Sequence, residues 1–259
     1  MTHRLSLNPV AGAVLMLATF TVQAAAQTVL ENATEVRFQL DLTVPEAALG
    51  PMLPAGWSYN IAAQGPAKGA NLRVVFIDRV TVNGPDGKPV GKGSSRLVYL
   101  VVPVKDAAGT ASQLVIGGIT ADPADAPGPF GMYLPASAHS MQRSVSGTFG
   151  AMVEAQDWVF AAATGERLEL HVTFQKAVPH RAAPADTKFY SAKNPSVVQI
   201  HRQEQLVDII RNVTTKPVDR VKKTSFTAGG GSFAKIFDGT ETILSWDNFI
   251  WVGRTVLVP

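Results

Sequence analysis

At 259 residues, with 46% hydrophobic and 17% charged side chains, the chain is too apolar for intrinsic disorder and long enough to bury a sizeable core. Its 23 basic and 20 acidic residues leave a net charge of +3 spread along the sequence, and no basic block interleaves with aromatics, so a nucleic-acid partner is not expected. The lack of any cysteine excludes thiolate catalysis, thiolate metal sites and disulfide staples together.

The first 26 residues read differently from the rest. Arg4 precedes an uncharged apolar stretch from Pro9 to Val22, followed by Gln23-Ala-Ala-Ala-Gln27. This is the pattern of a secretory signal peptide, with small residues Ala24 and Ala26 before the cut and cleavage after Ala24 as the alternative. The apolar run is shorter than the roughly 20 residues a bilayer span needs. The expectation is a signal peptide over 1–26, a single mature domain over 27–259, a periplasmic or secreted location, and no membrane attachment after cleavage.

In the mature chain, Glu35 to Val44 alternates Val36, Phe38, Leu40, Leu42 and Val44 with polar neighbours, the period of a half-buried strand. Pro45 to Leu49 opens a short helix with proline in its first turn, where a missing N–H costs nothing. Asn71 to Asp78 is a second strand, and Asn83 to Gly87 supplies turn chemistry. Arg96 to Val104 is an almost unbroken apolar run, as in a strand buried on both faces, and Gln113 to Ile119 continues or follows it.

A turn-forming run, Ala121 to Pro127, leads into Gly128 to Arg143, for which a short helix over 134–143 is expected. Val145 to Val153, Trp158 to Ala163 and Leu168 to Phe174 are strand candidates. In the last of these Glu169, His171 and Gln175 oppose an apolar face and are expected to look outward. Pro179 to Pro184 reads as a loop and Ser196 to Ile210 as a long strand. Val218 to Phe226, Ser232 to Phe237, Glu241 to Trp246 and Phe249 to Val258 read as short strands with glycine turns between them. Many short strands and few helices predict a mainly β protein: a twisted, mostly antiparallel β-barrel or sandwich with a few short helices.

Candidate chemistry gathers in the Gly128–Arg143 stretch. His139 has a side chain suited to acid–base work near neutrality, or it is a capping or surface histidine. Tyr133 could hydrogen-bond a ligand carbonyl or stand in the core, Ser137 could help to orient the same group, and Arg96 and Arg143 could clasp a carboxylate or form ordinary ion pairs. The five histidines are scattered without ligand-like spacing, so neither a metal nor any other cofactor is expected. No Gly-x-Ser-x-Gly elbow or phosphate loop occurs.

The order of segments resembles the acetoacetate decarboxylase superfamily. Val44 to Trp57 is similar to that family's short helix and leucine-proline elbow, Leu72 to Phe76 to its second strand, and Leu100-Val-Val-Pro-Val104 to its proline-containing strand. Phe130 to Ser137 falls where the family has an aromatic-proline-lysine segment. The resemblance implies a twisted β-barrel with a buried pocket. In the decarboxylases of the family it resembles, a lysine after that proline forms a Schiff base with the substrate ketone, and a second lysine beside it depresses its pKa. Here Ala136 and Ser137 follow Pro135, and Glu35 and Arg37 both stand near the place of a family arginine. The expectation is therefore an exported relative with a pocket for a small carbonyl or carboxylate compound. It would be either a lyase or hydrolase that does not use a lysine imine, or a non-catalytic binding protein of the same fold. A homo-oligomer is compatible with either.

Overall fold

The computed structural model describes residues 27–215 and 217–259, so the expected signal peptide lies outside the described residues. The strands, in chain order, are β1 (Thr28–Thr43), β2 (Ser58–Tyr59), β3 (Leu72–Asn83), β4 (Ser95–Lys105), β5 (Ala111–Thr120), β6 (Tyr133–Ser146) and β7 (Val153–Ala162). They continue with β8 (Arg167–Gln175), β9 (His180–Ser191), β10 (Val198–Asn212), β11 (Val218–Asp219), β12 (Val221–Gly229) and β13 (Thr242–Val258). One short α-helix, α1 (Glu46–Leu49), follows β1 and runs into a 3-10 turn at Gly50–Met52, where Pro51 is tolerated.

Seven of these strands close on one another. β1 pairs with β3, β3 with β4, β4 with β5, β5 with β9, β9 with β10, β10 with β13, and β13 returns to β1. All seams of this ring are antiparallel except β5–β9, which is parallel. Closure leaves none of the seven as a free edge over its paired length, which is the physical advantage of a barrel. From the ring a second layer, β6-β7-β8-β12, branches through a short parallel ladder in which Gly118 faces Tyr133 and Thr120 faces Pro135.

The alternation in β1 explains how the two layers meet. Phe38, Leu40 and Leu42 are fully buried in the main apolar cluster with Trp158, Phe160, Leu168, Leu170 and Phe174 of the second layer. The Phe38 ring lies 6.2 Å from that of Phe174, and Phe76 of β3 lies 5.8 Å from Trp158. Each of these buried aromatics contributes about 1.5–3 kcal/mol by leaving water. The opposite face of β1 carries Arg37, Gln39 and Asp41, and it faces the inside of the ring. β4, apolar on both faces as expected, serves both compartments: Val98, Leu100 and Val102 join the main cluster, while Leu97, Tyr99 and Val101 join a smaller one.

Several expectations are corrected. Residues 134–143 are not helical; they belong to β6, paired from Ala136 to Ser146 with β7. Alanine and serine there carry little strand preference, and the ladder with β7 decides the conformation instead. Residues 180–184 are not a loop but the start of β9, and Ser232 to Phe237 is not a strand but largely a 3-10 turn, Gly231–Lys235. The two strands expected near the C-terminus form one, β13, whose pairing with β1 runs on through an irregularity at Glu35/Arg37. The sheet is mostly antiparallel, as expected, with parallel seams only at β5–β6 and β5–β9 among the described strands.

Candidate functional site

A cavity of about 230 Å³ takes lining residues from all seven ring strands: Arg37, Arg79, Tyr99, Val115, Phe189, His201 and Arg254 among them. A space touched by every strand of a closed ring lies inside it. Its exposed lining residues, Leu30, Val90, Asp125 and Pro129, mark the mouth.

Charged side chains dominate one wall. Glu35, fully buried, accepts from Arg37 Nε at 2.6 Å and from Arg254 Nε at 2.7 Å, and Arg79 Nε stands 3.8 Å from it. Glu31 accepts from Arg79 at 2.5 Å and from Arg254 at 2.9 Å. Burial alone would raise the Glu35 carboxyl, but Arg254, Arg37 and Arg79 outweigh it and hold the pKa at about 2. Three guanidinium groups therefore share two carboxylates in the interior, with Asp125 exposed at the mouth. Arg79 Nε is buried without a hydrogen-bond partner. An unpaired buried donor on a cation is costly and is satisfied best by an anion.

The other walls are aromatic. Tyr99 and Tyr133 are buried, and burial pushes both phenols up, so they stay neutral donors. Tyr133 is held in a slot between two glycines: a Cβ on Gly118 would stand 2.8 Å from its ring and one on Gly128 (φ +72°) 2.3 Å. Phe130 is anchored by Ser191, whose Oγ donates to its carbonyl at 2.6 Å. His201 lies flat on Phe189, ring centroids 4.2 Å apart and planes 24° apart. Burial, then the positive charges of Arg254, Arg37 and Arg79, lower its pKa well below the usual value, so the imidazole is neutral. Its Nε2 contacts Gln199 Oε1 at 3.1 Å and its Nδ1 has no partner.

Of the residues proposed from sequence, only Tyr133 reaches this cavity. Arg96 is paired with Asp78 at 2.9 Å and lines, with His139, a separate shallow hollow outside the ring. Ser137 is exposed and donates to Ala161 O at 3.1 Å. Arg143 donates to buried Glu154 at 2.6 and 3.2 Å, at the end of a polar chain running through Gln156 to Trp158 and Asn248. The five are therefore not brought together, because β6 leaves the ring after Pro135 and carries the rest of the stretch into the second layer. Ala136, beyond that proline, packs against the main apolar cluster. His171 faces outward and pairs with Asp157 at 2.7 Å.

Arg79, His201 and Arg254 were missed. Each sits singly on its strand without a surrounding motif, so nothing local distinguishes it from a solvated side chain. Glu35 and Arg37 were noticed, and a charge within an apolar-alternating strand was the available signal. Among the described residues no lysine lines the cavity, and no three His, Asp or Glu side chains converge as a metal site. No helix among them is long and apolar enough to cross a membrane.

Neither a protein-family model nor a curated protein matches the sequence. Among solved structures the chain is similar to acetoacetate decarboxylase-like proteins. One is an acetoacetate decarboxylase-like enzyme from Sphingomonas wittichii RW1, at 14% identity over 95% of this chain and 97% of that one, TM-score 0.49. Another is the enduracididine biosynthesis enzyme MppR complexed with the condensation product of pyruvate and imidazole 4-carboxaldehyde, at 12% identity over 97% and 95%, TM-score 0.49. A third is the acetoacetate decarboxylase of Legionella pneumophila subsp. pneumophila str. Philadelphia 1, at 13% identity over 98% of each chain, TM-score 0.47.

Proposed function

We propose that this is an exported protein, acting as one domain over residues 27–259, that binds a small organic carboxylate inside the strand ring. The observation that carries the proposal is the convergence of three guanidinium groups on the cavity, with Arg79 Nε buried and unpartnered. A ligand carboxylate accepts there with charge-assisted bonds, and a carbonyl elsewhere on it accepts from Tyr99 or Tyr133. Among the described residues no lysine lines this cavity, which speaks against imine chemistry there. Neutral His201, too weakly basic to take a proton near neutrality, presents an unpartnered Nδ1 that accepts a hydrogen bond from the ligand, which supports binding; turnover of the lyase or hydrolase kind is the alternative reading.

Thermal shift with acetate, pyruvate and acetoacetate, and with neutral acetone as control, tests the reading. A ligand at a hundred times its Kd stabilises by about 2.7 kcal/mol. The acids should raise Tm and acetone should not, and Arg79→Met should abolish the difference. Equal shifts with acetone, or none with any acid, would overturn the proposal. Proton NMR of the same mixtures separates turnover from binding. Intact-mass measurement of protein from its own host tests export, which requires loss of residues 1–26.

A further inference from the structure

The ring encloses a second chamber of about 250 Å³, further along its axis. It shares Arg37, Tyr99 and Phe189 with the first, so those three side chains are a common wall. The register places the chambers on successive levels: Arg37 is opposite Ile77, Gln39 opposite Val75, and Asp41 opposite Arg73.

The chemistry changes between the levels. The second chamber is lined by four glutamines, Gln39, Gln113, Gln203 and Gln205, drawn from three different strands. Gln113 Oε1 is buried without a hydrogen-bond partner. Gln203 Oε1 accepts from Arg37 at 3.3 Å, which ties the amide lining to the cationic wall of the first chamber. Arg73 also lines this chamber, and its charge is met by buried Asp41 at 2.7 Å, which in turn accepts from Gln39 at 3.1 Å.

Amides offer a donor and an acceptor each, and carry no charge. A hydroxyl satisfies both, whereas an alkyl chain would leave Gln113 Oε1 unpaired at a cost of about 1–3 kcal/mol. Arg73, whose charge Asp41 already meets, offers a second anion no free cation there. The first chamber therefore suits a carboxylate and the second suits neutral hydroxyl groups.

We infer that the two chambers hold one ligand, a polyhydroxy carboxylic acid, with its acid group among the arginines and its hydroxylated chain among the glutamines. This rests on the carboxylate-binding reading above and names the ligand class. Phe189, stacked on His201, then lies alongside the carbon chain where the chambers meet.

Isothermal titration of the mature protein with gluconate, hexanoate, acetate and the neutral polyol glucitol tests it. Gluconate should bind at least about tenfold more tightly than hexanoate of the same carbon count, the equivalent of one or two net hydrogen bonds. The gluconate-to-acetate ratio should collapse in Gln113→Leu and in Gln205→Leu. Gln113→Leu replaces an unpartnered amide by hydrocarbon of similar size, and its melting curve reports folding separately. If acetate binds but hexanoate equals gluconate, or both leucine variants keep the ratio, the ligand class is wrong and the carboxylate reading stands. If glucitol matches gluconate, the arginine wall contributes nothing and the carboxylate reading falls. If no acid binds, both fall.

Discussion

Arg254 Nε donates to Glu35 Oε1 at 2.7 Å although 219 positions separate the two residues. The contact exists because β13 closes the ring onto β1, and it joins the last strand of the chain to the first around a carboxylate with no solvent exposure. Removing one partner of such a pair leaves an uncompensated buried charge, worth about 3–5 kcal/mol. Glu35→Ala is therefore expected to lower unfolding free energy by about that amount in urea titration. A double-mutant cycle with Arg254→Met should recover part of the loss. A loss under about 1 kcal/mol, the size of a surface pair, would show that the cluster is solvated.

Two buried acids give stability opposite pH dependences. Asp247 is raised to about 7, by burial first and then by Asp41, with Asp208 adding and Ser245 and Arg73 opposing. Because the folded state keeps this proton and the unfolded state releases it near 3.8, its contribution is full below 3.8 and is lost as pH rises through about 7. Glu35, held at about 2, contributes above its ordinary value of 4.5 and loses that contribution as pH falls through 2. Relative to Asp247→Asn, the wild-type urea midpoint should fall between pH 4 and pH 7; buried neutral His201 contributes the opposite trend to both proteins and so drops out of the difference. An unchanged slope in the variant would place the titration elsewhere.

The glycine slot around Tyr133 sets the width of the cavity. In Gly118→Ala the new methyl would stand 2.7 Å from Val98 O and 2.8 Å from the Tyr133 ring, and the backbone oxygen cannot yield cheaply. Overpacking of this kind costs about 1–3 kcal/mol. Relief requires the Tyr133 ring, which lines the cavity, to shift. Lower Tm together with weaker acid binding is expected; lower Tm with unchanged binding would separate Tyr133 from the ligand.

His139→Ala should leave carboxylate binding as it is, because His139 lies at the hollow outside the ring with Arg96 and Asp122. A reduced response to acid in thermal shift would move the site to that hollow.

Borohydride treatment with acetoacetate or pyruvate should give no lysine adduct by mass spectrometry. Among the described residues no lysine lines either interior chamber. A stoichiometric adduct would show an amine reaching the ligand.

How much of this was legible beforehand follows from what is local. The period-two alternation of Phe38, Leu40 and Leu42, the doubly buried β4 and the glycine turns are properties of neighbouring residues, and the chain order alone determined a mainly β protein with those strands. Residues 134–143 carry no such period, and their conformation came from the ladder with β7. The site was less legible still. Arg37 points into the ring and Phe38 out of it, and a one-residue change of register would exchange them. Arg79, His201 and Arg254 lie on three strands far apart in the chain, and only the closing of β13 onto β1 and β10 sets them around one cavity. Strand identity is encoded over a few residues, whereas convergence of charges is fixed by pairings across the whole chain, and that is where the tertiary structure decided the matter.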